Sequence, residues 1–158
     1  MKEKHFYVTV GPSASGKSYY SENLVKNSDF VNINNDDLRR SLFQINHWEE
    51  YDFDKYESLI TKIRKDIILN SLQEDRNVII SNLNISLSNL KYYFELAKKY
   101  GYNFKVILFD VSLSTCLSRN SKRTYMKLKD SIIVDQYQRF SKIIDNIKEL
   151  YEYELIGE

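Results

Sequence analysis

Short apolar runs alternate along the chain with stretches in which apolar residues recur every three or four positions. The runs Phe6–Val10, Phe30–Ile33, Val78–Ser81 and Phe104–Phe109 are predicted as four strands. After the first comes a helical pattern to about Lys26, with Tyr19, Tyr20, Leu24 and Val25 as its apolar positions. A short helix is predicted from Asp36-Asp37, with Leu38, Leu42 and Phe43 on one face. A long one spans about Phe53 to Leu72, carried by Tyr56, Ile60, Ile63 and Ile67. Ser86 or Ser88 caps the next, whose face holds Leu90, Phe94 and Ala97, and Gly101 stops it. A short helix through Cys116 to Arg119 and a last one over Ser131–Tyr153 complete the pattern. The last helix has the seam Ile133, Tyr137, Phe140, Ile144, Ile147 and Tyr151. Strands alternating with helices predict an α/β fold, a parallel sheet of about four strands flanked by helices.

Where the first strand ends stands Gly11-Pro12-Ser13-Ala14-Ser15-Gly16-Lys17-Ser18, followed by Tyr19. Two glycines at this separation before Lys and Ser form a phosphate-loop pattern. The glycines let successive backbone N–H groups curl round a phosphate, and the helix beginning near Gly16 aims its positive end at the same point. Lys17 reaches the outer phosphates, and the Ser18 hydroxyl suits a magnesium ion. The pattern implies a nucleoside triphosphate ligand.

In a parallel sheet, ligands bind at the carboxyl ends of the strands. The second strand delivers Asp36 and Asp37 to that rim, and the third delivers Asn82 and Asn84. A carboxylate there can accept the proton of an incoming hydroxyl. Asp36 is favoured for that role; for Asp37, proton acceptance and helix capping weigh equally. Beyond the fourth strand, Arg119, Lys122, Arg123, Lys127, Lys129, Arg139 and Lys142 outnumber Asp130 and Asp135. A solvated helix surface would account for such a run. Its place on the triphosphate rim favours a basic helical lid, about residues 119–131, with arginines closing over the phosphates.

Composition narrows the classes. A net charge of +1 over 158 residues gives no global pull toward nucleic acid or membrane, so attraction must come from local patches. One cysteine, Cys116, excludes an internal disulfide framework and a cysteine-rich zinc site, and its apolar neighbours predict a buried thiol. His5 and His47 lack a metal-ligand partner at suitable spacing. Trp48, near Tyr51 and Phe53, is placed either to stack on a base or to pack in the core. The acidic end, Asp145 to Glu158, is expected to face solvent without a catalytic role. No run is long and apolar enough to span a membrane and no signal-peptide core opens the chain, so a cytoplasmic protein without a membrane partner is expected. Nothing in the sequence decides an oligomeric state.

Several strings together resemble the 5′-kinase domain of phage-type polynucleotide kinases. They are GPSASGKS, NINNDDLRRS at 32–41, NVIISNLNIS at 77–86 and FDVSLSTCLSRNSKR at 109–123. The resemblance implies a P-loop kinase fold and magnesium-dependent transfer of the γ-phosphate of ATP to a 5′-hydroxyl end of single-stranded DNA or RNA, in end healing. A phage origin would place it in host cytoplasm. By position, Lys17 and Ser18 would hold the donor phosphates and metal, and Asp36 would be the general base. Arg39 would contact the acceptor's 3′-phosphate, Asn82 would belong to the acceptor site, and Arg123, with Arg119 beside it, would act from the lid. Two departures stand out: Asn82 replaces a usual aspartate, and Thr124 follows Arg123 where the family has glycine and soon proline. No Asp-x-Asp-x-Thr motif occurs, so a single kinase domain over 1–158 without a phosphatase is expected, either standing alone or excised. A small-molecule kinase acting on a nucleoside, nucleotide or nucleotide-sugar shares the fold and the loop. An ATP-binding regulatory module is the third reading, with Lys17, Ser18, Asp36 and Arg123 together speaking against it.

Overall fold

A computed structural model describes residues 2–158 of the chain. Five parallel strands, β1 (His5–Val10), β2 (Phe30–Ile33), β3 (Asn77–Ile80), β4 (Asn103–Phe109) and β5 (Tyr153–Ile156), form one sheet in the order β2-β3-β1-β4-β5. The helices are α1 (Lys17–Asn27), α2 (Asn35–Phe43), α3 (Phe53–Gln73), α4 (Leu87–Lys99), α5 (Leu113–Ser121) and α6 (Asp130–Leu150).

Side chains alternate across each strand, so Phe6, Val8 and Val10 share a face with Phe104, Val106 and Leu108. On that face α3, α4 and α6 bury Ile68, Leu72, Leu90, Ala97, Phe140 and Ile147 in one cluster. Apart from the small Ala97, each of these side chains contributes roughly 1.5–3 kcal/mol when fully buried. α1 covers the opposite face, where Tyr20 meets Phe109 edge-on at 5.8 Å. The chain leaves β1 across one face and β3 across the other. The crevice between these neighbouring strands is therefore the switch point at which this architecture binds ligands.

The fifth strand departs from the expected four. The last helix is expected to reach Tyr153, but α6 ends at Leu150 and Tyr153–Ile156 pairs in parallel with β4. Its acidic residues are not all solvated either. Glu154 accepts a hydrogen bond from the Tyr20 hydroxyl at 3.0 Å and pairs with Lys105 at 3.5 Å. The other differences are of face. In α2 Leu42 is exposed, and in α3 the inward line runs through Ile60, Ile68 and Leu72. Cys116 is fully buried, and burial pushes its thiol above the ordinary value.

Candidate active site

The phosphate loop leaves β1 under tight constraint. A Cβ on Gly11 would lie 2.9 Å from the Phe109 Cβ and 3.0 Å from the Ser15 hydroxyl. Gly16 has φ +106°, a conformation open to glycine and strained for other residues. Replacing Gly11 by alanine is expected to lower stability by about 1–3 kcal/mol through overpacking against β4. Urea unfolding measures it; an unchanged midpoint would mean that the loop can move off Phe109. The loop is also held from afar. The Ser13 N–H donates to the side chain of buried Gln136 on α6 at 2.9 Å, and Arg119 Nη1 donates to the Ala14 carbonyl at 3.4 Å.

Lys17 opens α1 and is almost completely buried. Its Nζ donates to the carbonyls of Gly11 at 2.9 Å and Pro12 at 2.5 Å. Burial, and next the charge of Arg123, lowers this ammonium from its ordinary 10.5 to about 7. Ser18 and Tyr19 are exposed beside it.

Across the crevice, α2 brings two further groups. Its N-cap is Asn34, whose side chain accepts from the Asp37 N–H at 3.0 Å, so neither Asp36 nor Asp37 caps the helix. Asp36 lines the cavity and accepts from Arg39 Nη1 at 2.7 Å, whereas Asp37 is exposed and does not line it. Glu57 on α3 holds Arg39 from the other side, accepting from Nε at 3.1 Å and Nη2 at 2.5 Å, and it also accepts the Tyr51 hydroxyl at 2.6 Å. Burial alone would raise the Glu57 carboxyl, yet the bonds from Arg39 and Tyr51 hold it below its ordinary value. Burial and then the Glu57 bond push the Tyr51 phenol up to about 12. Three rings complete the seat, with Trp48, Tyr51 and Phe53 centroids 5.4, 5.5 and 5.8 Å from the guanidinium carbon. Trp48 stacks on Phe53 and also lines the cavity.

Asn82 ties β3 to α2. Its side-chain oxygen accepts from the Asn35 N–H at 2.8 Å, a bond that an aspartate could make equally well. Arg119 rides on the last turn of α5, and Arg123 stands on the irregular stretch joining α5 to α6. Buried Asn120 brackets that stretch, donating to the Leu128 carbonyl at 2.8 Å and accepting the Leu128 N–H at 3.1 Å. Its tip docks across the cleft: the Met126 N–H donates to the Asn46 carbonyl at 2.7 Å, and Met126 is buried with Ile45 and Tyr51.

The resulting cavity has a volume of about 1060 Å³. Lys17, Arg39, Arg64, Lys65, Arg119 and Arg123 line it against a single carboxylate, Asp36, which makes it a basin for polyanions. Residues of the loop, Asp36, Arg39, Asn82, Arg119 and Arg123 thus line one cavity. Glu57, Arg64, Asn120 and Gln136 were not singled out from sequence. The first two carry ordinary helix-surface residue types, and the last two act through backbone groups distant in the chain.

The sequence model of the AAA domain family matches residues 7–143. The chain belongs to that family. Its fold is that of the P-loop kinases, and the family implies the use of ATP. Over 150 residues it is 31% identical to a protein of Autographa californica nuclear polyhedrosis virus provisionally named a bifunctional polynucleotide kinase/RNA ligase. The match takes in 89% of this chain and 21% of that relative, so the chain spans about a fifth of its length. Its fold is similar to that in a structure of the Pnkp1/Rnl/Hen1 RNA repair complex, with TM-score 0.72, 22% identity and coverage of 92% of this chain and 47% of the other. A structure of the PezAT chromosomal toxin–antitoxin system of Streptococcus pneumoniae is also similar, with TM-score 0.66 and 16% identity over 100% of this chain and 70% of the other. No helix among the described residues is long and apolar enough to cross a membrane.

Proposed function

We propose that this domain transfers the γ-phosphate of ATP to the 5′-hydroxyl of a single-stranded DNA or RNA end. The observation that carries this is Asp36 in one cavity with the phosphate loop, its carboxylate on an arginine that Glu57 and three aromatic rings hold in place. The name of the viral relative agrees with the reading.

In this reading the loop, Lys17, Arg119 and Arg123 seat the triphosphate, with Tyr19 beside it. Arg39 binds the phosphate on the 3′ side of the acceptor nucleotide, and Asn82 supports that side. The acceptor oxygen bonds to the γ-phosphorus as its proton passes to Asp36. The bond from that phosphorus to the bridging oxygen breaks, and ADP leaves. Among the described residues no cluster of three His, Cys, Asp or Glu could hold a metal. Magnesium bound mainly through phosphates and water needs no such cluster, so the exposed Ser18 hydroxyl fits as its protein ligand. When bound, the ion would neutralise phosphate charge. The stretch 119–131 is the lid, with Met126 as its latch.

The test offers γ-labelled ATP and Mg²⁺ with a 5′-hydroxyl oligonucleotide, a nucleoside 3′-monophosphate and free nucleosides in parallel. Label on the oligonucleotide is expected. Label on free nucleosides alone would replace this reading with a small-molecule kinase, and ATP binding without transfer would leave a binding module. Glu57→Gln puts an NH2 where one carboxylate oxygen accepts from Arg39, so one of the two bonds is lost and the other no longer meets a carboxylate. The acceptor KM is expected to rise roughly tenfold with little change in kcat. An unchanged KM would remove Glu57 as the positioning residue for Arg39.

A further inference from the structure

α3 and α4, neither of which carries the phosphate loop, form one part of the cavity wall, an arm of the same cavity that Asp36 lines. α3 lines this arm with Thr61, Arg64 and Lys65, and α4 with Ser88, Asn89 and Tyr92. Spacings of three and four residues put each set on one helix face. Tyr92 is 49% exposed. It meets Tyr93 at 5.6 Å and 60°, so the two rings do not stack on each other.

Arg64 differs from Arg39. Its Nε is buried without a hydrogen-bond partner, and Nη1 makes one long bond, 3.4 Å, to the side chain of Asn35. Arg39 has two carboxylates, whereas Arg64 has no ion pair among the described residues. A half-buried cation with a buried donor left unmet is costly unless a partner such as an anion completes it. Asn35 directly precedes Asp36, so Arg64 stands one residue from the group assigned to the acceptor hydroxyl.

We propose that this arm is a second acceptor subsite, which takes the nucleotide following the reactive one in a single-stranded nucleic acid. Its base lies against Tyr92, its phosphate meets Arg64 and Lys65, and Ser88 and Asn89 offer hydrogen bonds. The inference rests on the transfer reading above for which nucleotide comes first. A cationic groove with an open aromatic ring and no carboxylate of its own is the combination that holds single strands with little regard to sequence. A base stacked between neighbours in a duplex would present no free face to Tyr92, so a single-stranded end is required. The subsite makes an acceptor of two or more nucleotides better than a nucleoside 3′-monophosphate.

The experiment measures binding and transfer separately on the full chain. Fluorescence anisotropy follows labelled 5′-hydroxyl hexanucleotides of DNA and of RNA, and kinetics compare each with the nucleoside 3′-monophosphate. Tyr92→Ala is expected to weaken hexanucleotide binding roughly tenfold, with Tyr92→Phe restoring it. The ratio of kcat/KM for hexanucleotide over monophosphate should fall in step. Lys65→Gln is expected to flatten the salt dependence of hexanucleotide binding by about one unit of slope. A folded Tyr92→Ala protein, matched to wild type in its urea midpoint, that binds both hexanucleotides as tightly as wild type overturns the subsite. Transfer to the monophosphate without a hexanucleotide advantage does the same and leaves the kinase reading standing. Tyr92-dependent binding without transfer retracts the kinase reading and keeps the groove as a single-strand site.

Discussion

Asp36→Ala is expected to slow phosphoryl transfer to a 5′-hydroxyl oligonucleotide by roughly 10²- to 10⁴-fold, the span of general-base contributions. ATP binding should stay nearly unchanged, because the proposed reading assigns Asp36 to the acceptor and not to the nucleotide. The geometry makes the variant informative. Asn34, not Asp36, caps α2, so the helix keeps its N-cap. Arg39 keeps its two bonds to Glu57, so the acceptor side keeps its cation. The loss then belongs to chemistry rather than to folding. Asp36→Asn keeps the size and a hydrogen bond to Arg39 without the basicity, and it should fall nearly as far. Asp37→Ala is the control: this residue is exposed outside the cavity, and its rate should match wild type. Single-turnover transfer with a parallel ATP titration decides the matter. An Asp36→Ala enzyme keeping more than about a tenth of the rate would send the proton elsewhere and withdraw the role, since base catalysis is worth more than that.

The sheet was legible because each buried strand is a compact apolar run beside a turn or a loop of special chemistry. Phe6–Val10 before the phosphate loop and Phe104–Phe109 after Gly101 are cases in point. β5 was not, for a physical reason. It is an edge strand of four residues separated from α6 by only two residues, and Tyr153 and Leu155 remain exposed. Its alternation is too short to stand out from the helical seam running into it, and its glutamates read as solvated surface.

The candidate site divides the same way. Lys17, Ser18 and Asp36 lie in the first turns of the helices that follow β1 and β2, so their place on the rim comes from topology alone. Arg39 needed the resemblance, because position five of a short helix says nothing about direction. Glu57 was hidden on a long helix whose many charges look alike until Arg39 is seen against it. Asn120 and Gln136 are amides bonded to backbone eight and 123 residues away, partners that no local spacing announces.

Replacing Lys17 by methionine is expected to move activity and stability in opposite directions. Transfer should fall at least about 100-fold, because the cation that meets the outer phosphates is gone. Stability should rise, since the folded wild-type protein holds this ammonium at about 7 against 10.5 for a free lysine. Between those two pH values the unfolded chain carries a proton that the folded chain lacks. Wild-type stability therefore climbs with pH across this window, with a slope approaching about 1.4 kcal/mol per pH unit, and the full penalty is present below pH 7. The methionine variant has no such slope. Its advantage over wild type should be greatest at pH 7 and below and should close as pH nears 10.5, as urea unfolding at several pH values would show. Nucleotide phosphates beside Lys17 would restore its basicity, so wild-type ATP binding near pH 8 should take up close to one proton, about the deficit left by folding. Calorimetry in buffers of different ionisation enthalpy reads that uptake. A stability gap independent of pH, or binding without proton uptake, would show that Lys17 keeps its charge in the free protein. The phosphate loop would then hold its cation at full strength before any ligand arrives.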